Sequence, residues 1–113
     1  MPAEPTPATA PPPIPVTLTT DGHHATLVFN GALDAHMVRQ LEEQLADPRL
    51  RQSRTWELKM SGLSRLDLTC AYALLRAATT MPEPVELHIE GVRRTLQRTL
   101  REVGIDAVAT IED

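Results

Sequence analysis

The sequence is short of aromatic residues, cysteine, glycine and positive charge, and each shortage excludes a class of function. Phe29, Trp56 and Tyr72 are the only aromatic rings among 113 residues. Three scattered rings do not build a stacking platform for bases or sugars. Cys70 is the only cysteine, which rules out a disulfide framework and a cysteine-rich zinc site. A single thiol also fits a reducing compartment, and a cytoplasmic protein is expected. The five glycines, at positions 22, 31, 62, 91 and 104, show neither dinucleotide-binding nor Walker spacing, and no GxSxG elbow occurs. The formal net charge of -4 argues against a nucleic-acid binder that works by bulk electrostatics. No apolar run approaches the roughly 18 residues that span a bilayer, so no direct membrane insertion is expected. The N-terminus has no basic region followed by an apolar core, so no secretory leader is expected either.

What is present divides at about Ile14. Residues 1–15 hold seven of the ten prolines: Pro2, Pro5, Pro7, Pro11, Pro12, Pro13 and Pro15. This stretch cannot bury a core, and a disordered tail with polyproline II character is expected. Residues 16–113 suit a single domain.

Val16 to Thr20 alternates and reads as a strand, followed by an Asp21-Gly22 turn. Ala25 to Asn30 is the second strand, which Asn30-Gly31 ends. Asp34 is a candidate N-cap for a helix over Ala35 to Ala46, whose stripe is Met37, Val38, Leu41 and Leu45. Asp47-Pro48 stops that helix. Trp56, Leu58 and Met60 alternate with Glu57 and Lys59 in a third strand, and Ser61-Gly62 reads as a turn. Asp67 to Thr79 reads as the second helix, with Leu68, Ala71, Leu75 and Ala78 on one side. Val85, Leu87 and Ile89 alternate with Glu86, His88 and Glu90, the cleanest period-two pattern in the chain. Gly91 precedes a third helix over Val92 to Val103, Gly104 fits its C-cap, and Val108 to Ile111 can add a short strand.

The order β-β-α-β-α-β-α, with an optional last strand, implies parallel pairing through right-handed crossovers. The third and fourth strands are apolar on one face only, whereas a sheet covered on both faces needs near-continuous apolar strands. The expected architecture is α/β, a mixed sheet of four to five strands with its helices mainly on one face.

The four histidines, His23, His24, His36 and His88, do not show convergent metal-ligand spacing, and no metal or cofactor is expected. Arg93, Arg94, Arg98 and Arg101 give the third helix a basic face, which reads as a solvated surface or a contact for an acidic partner. The segment Leu66-Asp67-Leu68-Thr69-Cys70 places a carboxylate and a hydroxyl at a helix N-terminus. These residue types cap helices. The same position also accommodates a phosphate, because backbone N–H groups and the positive dipole end favour an anion.

In order and spacing these elements resemble the STAS family, the domain of bacterial anti-sigma factor antagonists. Gly31-Ala32-Leu33-Asp34 resembles its G-x-L-D element, and Trp56 to Leu63 its third strand with the S-G-hydrophobic segment. Leu66 to Ala77 resembles its D-S-S-G-hydrophobic helix start. Gly91 to Arg94 and Val103 to Asp106 resemble its last helix and tail. The resemblance implies a βα superhelix with helices on one side. It puts Thr69 at the position of the phosphorylatable Ser or Thr, and Gly31, Asp34, Lys59, Asp67, Leu68, Thr69 and Cys70 on the partner-binding surface. Lys59 stands where an acidic residue is usual, and Leu68 and Cys70 replace a small polar residue and a glycine. The implied function is a non-enzymatic regulatory module that binds a kinase-type anti-sigma factor and is switched at Thr69. The alternative is an accessory subunit of a membrane transport ATPase of the lipid-transport type, without phospho-switching.

Overall fold

In the computed structural model the described residues are 16–112. The proline-rich stretch expected as a tail, residues 1–15, lies outside them, as does Asp113. Five strands form one sheet: β1 (Val16–Asp21), β2 (His24–Leu33), β3 (Thr55–Leu66), β4 (Glu86–Glu90) and β5 (Ala109–Glu112). The helices are α1 (Val38–Leu45), α2 (Pro48–Arg51), α3 (Leu68–Thr79) and α4 (Arg94–Glu102), with single 3-10 turns before α1 and after α4. The strands lie in sequence order. β1 and β2 form the expected antiparallel hairpin, and β2 through β5 are parallel. Parallel neighbours need crossovers, and the helices supply them. Among the described residues no helix is long and apolar enough to cross a membrane.

Strand alternation puts one set of side chains against the helices. Ala25, Leu27 and Phe29 of β2, Trp56, Leu58 and Met60 of β3, and Ile89 of β4 are fully buried. Their neighbours Thr26, Val28, Glu57, Lys59, His88 and Glu90 face the other side and keep contact with solvent. The helices therefore cover one face, as the one-sided patterns of the third and fourth strands require.

Four local expectations are corrected. Asn30-Gly31 does not end β2, and Ser61-Gly62 is no turn. Both strands run on in parallel to Leu33 and Leu66, through register shifts between Val28 and Asn30 and between Gly31 and Ala32. Gly62 suits this approach, because a Cβ there would force the Asn30 side chain aside and lie a tight 3.1 Å from the Phe29 carbonyl. Glycine inside a strand often marks a bulge or a close backbone approach. Asp47-Pro48 does stop α1, but Asp47 then caps α2, accepting a hydrogen bond from the Arg49 N–H at 2.9 Å. Proline at the first helical position loses nothing, since its N–H would be unpaired there anyway. Asp34 precedes the 3-10 turn without capping it, and its carboxylate faces Arg65 at 3.6 Å instead. Finally, Leu68 is not on the buried side of α3. That side is Cys70, Ala71, Ala73 and Leu74, while Leu68 is 47% exposed. These buried side chains are mostly small, and the element that packs most closely against α3 is α1.

Gly91, between β4 and α4, has φ 75, a region that costs other residues roughly 1–2 kcal/mol. A Cβ there would also lie 2.9 Å from Ser61 Cβ and 3.1 Å from the Ser61 nitrogen. Gly104, at φ 87, has open space around the same position. Gly91→Ala is therefore expected to cost more than Gly104→Ala in chemical denaturation, because only the former must also displace β3. A loss of about 1–2 kcal/mol is expected for Gly104→Ala, and a larger loss for Gly91→Ala. Equal losses would mean that Ser61 yields freely.

Candidate functional site

The extended pairing of β2 and β3 delivers two loops side by side at the C-terminal end of the parallel strands. Leu33 pairs with Leu66, and the Asp67 N–H donates to the Leu33 carbonyl at 2.9 Å. The Ser64 hydroxyl donates to the Gly31 carbonyl at 3.0 Å. Gly31, Asp34, Asp67, Leu68, Thr69 and Cys70 are thereby gathered at one end of the molecule. Lys59 is not among them. It lies eight residues before Asp67 on an extended strand, about 26 Å at strand rise. It is exposed on the open face of the sheet, opposite Glu90 in register.

Asp67 is the N-cap of α3. Its backbone is extended (φ -74, ψ 150), and its carboxylate accepts from the Thr69 N–H at 2.9 Å. The Thr69 hydroxyl donates to the same carboxylate oxygen. The Asp67 carbonyl accepts from the N–H groups of Cys70 (3.1 Å) and Ala71 (3.0 Å). Of the first four amides of α3, those of Thr69, Cys70 and Ala71 therefore already have acceptors. The hydrogen bonds from the Thr69 hydroxyl and then its N–H hold the Asp67 carboxyl below its ordinary value.

Cys70 is fully buried beneath this turn, and its thiol donates to the Asp34 carbonyl at 3.3 Å. That contact ties the start of α3 to the loop after β2. Burial, then the negative charges of Asp67 and Asp34, push the thiol up to about 11. At neutral pH it is a protonated donor, the opposite of an activated nucleophile. Among the described residues, no group of three or more His, Cys, Asp or Glu side chains is placed to hold a metal ion.

The outward face of α3 carries two residues that sequence reasoning passed over. Tyr72 is 52% exposed and follows Leu68 by one helical turn, with exposed Thr69 beside them. Arg76 lies one turn further on, its guanidinium 6.0 Å from the centre of the Tyr72 ring. The spacing 68, 72, 76 was visible in the chain as a second stripe on the same helix. It was masked because Leu68 had been assigned to the buried stripe. Leu68, Tyr72 and Val108 are the large hydrophobic side chains left exposed among the described residues, and two of these three flank Thr69.

Removal of the Asp67 carboxylate leaves the Thr69 amide without its acceptor. Asp67→Ala is expected to lower Tm by about 4–8 °C, the shift a lost helix cap gives in a domain of this size. The folded-state pKa of Asp67 lies below its unfolded value, so its contribution is fully present above about pH 4 and is lost as pH falls through the folded pKa. The Tm gap between the wild type and Asp67→Ala should thus stay constant from pH 7 to pH 5 and narrow below pH 4. A gap independent of pH into strong acid would show that the carboxylate's charge takes no part in the cap.

The family model described as "Mlab, STAS domain" matches residues 16–111. Comparison with curated protein sequences finds no significant match. Several solved structures share the fold. The anti-sigma factor antagonist SpoIIAA in its unphosphorylated form matches with a TM-score of 0.65 at 14% identity, over 87% of each chain. An anti-sigma factor antagonist from Mycobacterium paratuberculosis matches at 0.71 and 9%, over 86% of this chain and 83% of that one. A Moorella thermoacetica RsbS variant matches at 0.62 and 18%, over 87% and 85%. At these identities the likeness is one of fold, and it is the family match over nearly every described residue that decides membership: this chain belongs to the STAS domain family.

Proposed function

We infer that the domain is a non-enzymatic, protein-binding regulatory module, an anti-sigma factor antagonist that works in the cytoplasm. Its partner in this reading is a kinase-type anti-sigma factor, and its docking face is the start of α3 with the end of β2 and Asp34 (residues 31–34) beside it. The observation that carries the reading is the placing of Thr69. Its hydroxyl lies on the surface between two exposed apolar side chains, Leu68 and Tyr72. Large exposed apolar side chains beside polar groups are what protein interfaces bury. Phosphorylation would add about -1.5 to -2 charges at the centre of that face and next to the Asp67 carboxylate. The anion would be desolvated in a complex without a partner, and the complex would open. The solved structures of similar fold that are described as anti-sigma factor antagonists support this assignment.

One observation favours a second reading. The Thr69 hydroxyl is already committed to Asp67, and three of the first amides of α3 have acceptors. A phosphate on Thr69 would find little of the amide cradle that a helix N-terminus otherwise offers. A surface with Leu68 and Tyr72 but no use for the phosphate fits a docking subunit of a transport ATPase, with Thr69 serving only as part of the cap.

Affinity capture of the full chain from its native cells, with wild type, Thr69→Val and Thr69→Glu compared, separates the two. A kinase-type anti-sigma factor is expected with wild type and Thr69→Val. Thr69→Glu is expected to weaken that complex at least about 30-fold, the equivalent of about 2 kcal/mol for a buried unpaired charge. Capture of a transport ATPase, held equally by all three proteins, would replace this reading with the second one.

A further inference from the structure

A trench of about 590 Å³ runs between the C-terminal half of α1 with α2 and the C-terminal half of α3. It lies at the other end of α3 from Thr69. Its floor and walls are apolar: Leu45 and Ala73 are buried, and Ala77 and Met81 are half-buried. This size and lining are those of small-molecule sites, which span about 300–1,000 Å³ and are mainly apolar with a few placed polar groups.

The charged groups that line the trench are Glu42, Arg76 and Arg51. Because α1 and α3 each follow a parallel strand, they run in the same direction, and the charges fall at defined ends. Glu42 and Arg76 pair across the upper end at 3.5 Å and cancel. Arg51, at the lower end beside Pro48 and Met81, is exposed and has no ion-pair partner among the described residues. One uncompensated guanidinium at the end of an apolar trench matches a ligand with one anionic head and a single apolar chain. Guanidinium is the side chain best shaped for carboxylate.

We propose that this trench is a binding site for a free single-chain carboxylate amphiphile, with the head on Arg51 and the chain laid along Leu45, Ala77 and Met81. The proposal is independent of the partner assigned to the α3 start, and it is tested on the full chain alone. Titration with octanoate, decanoate and dodecanoate, each below its micelle concentration, should give saturable binding by calorimetry. Amide chemical-shift changes should centre on Leu45, Ala77 and Met81. Each added methylene should tighten binding about fourfold, the fold equivalent of about 0.8 kcal/mol, until the trench is filled. Arg51→Glu should weaken decanoate at least tenfold while leaving decanol unchanged. Ala46→Trp, an exposed wall position whose change spares the core, should block both ligands at unchanged Tm. Absence of saturable binding, affinity independent of chain length, or shifts centred on Leu68 and Tyr72 would overturn the proposal. So would concentration-dependent shifts of the trench residues without ligand, which would assign the trench to a second copy of the chain.

Discussion

The pairing of β2 with β3 is the constraint on which the rest of the structure depends. These are the two long strands, of ten and twelve residues, and they carry the largest fully buried side chains, Trp56 and Phe29. Their parallel register survives two shifts and continues to Leu33 and Leu66. Without that continuation the chain would turn away at Gly31 and at Gly62, and the loops that follow would diverge. With it, Asp34 and Asp67 leave the sheet side by side, and the first turn of α3 is placed against the segment that starts α1. A parallel sheet collects its loops at the C-terminal ends of its strands. Here the extra residues of β2 and β3 lift that end out beyond β4 and β5, so the start of α3 projects from the molecule.

Asp67 carries two demands that pull against each other. As a cap it accepts from Thr69 twice, through nitrogen and hydroxyl, and its carbonyl begins the helix. As a fixed negative charge it repels any further anion at Thr69 and contributes to keeping the Cys70 thiol protonated. That protonated thiol is itself structural, since it donates to the Asp34 carbonyl. Cys70 therefore adds a side-chain tie between the start of α3 and the segment that follows β2.

Much of the architecture was legible because the strands have one apolar face. The alternation through Trp56, Leu58 and Met60, and through Leu87 and Ile89, implied a sheet with helices on a single side. Two of the errors share one cause. Asn30-Gly31 and Ser61-Gly62 have turn chemistry, yet in a paired strand the same residues admit a register shift and a close backbone approach. Local composition does not distinguish these outcomes, because the deciding partner is more than 30 residues away in sequence. The Leu68 expectation fails for a related reason: α3 has apolar residues on more than one face, and only packing against distant elements selects Cys70, Ala71, Ala73 and Leu74. The cluster around Asp67 and Thr69 was readable from the cap chemistry and the family resemblance. Tyr72 and Arg76 share a helical spacing with Leu68, but the role of Arg65 beside Asp34 depends on a three-dimensional neighbour that no spacing rule supplies.

The composition of α3 links its two ends. Ala71, Ala73, Ala77 and Ala78 bring little side-chain volume to a twelve-residue helix. At the upper half the small side chains of Cys70, Ala71 and Ala73 are buried, while Leu68 and Tyr72 stand outward as an exposed apolar face. At the lower half the same economy leaves Ala73 and Ala77 unable to fill the space toward Leu45 and Pro48, and a trench remains. Larger side chains at 73 or 77 would narrow the trench. Arg76 stands between the halves, pairing with Glu42 across the trench and lying over the Tyr72 ring at 6.0 Å on the outer face. One helix thus carries both surfaces, and a single guanidinium lies beside each of them.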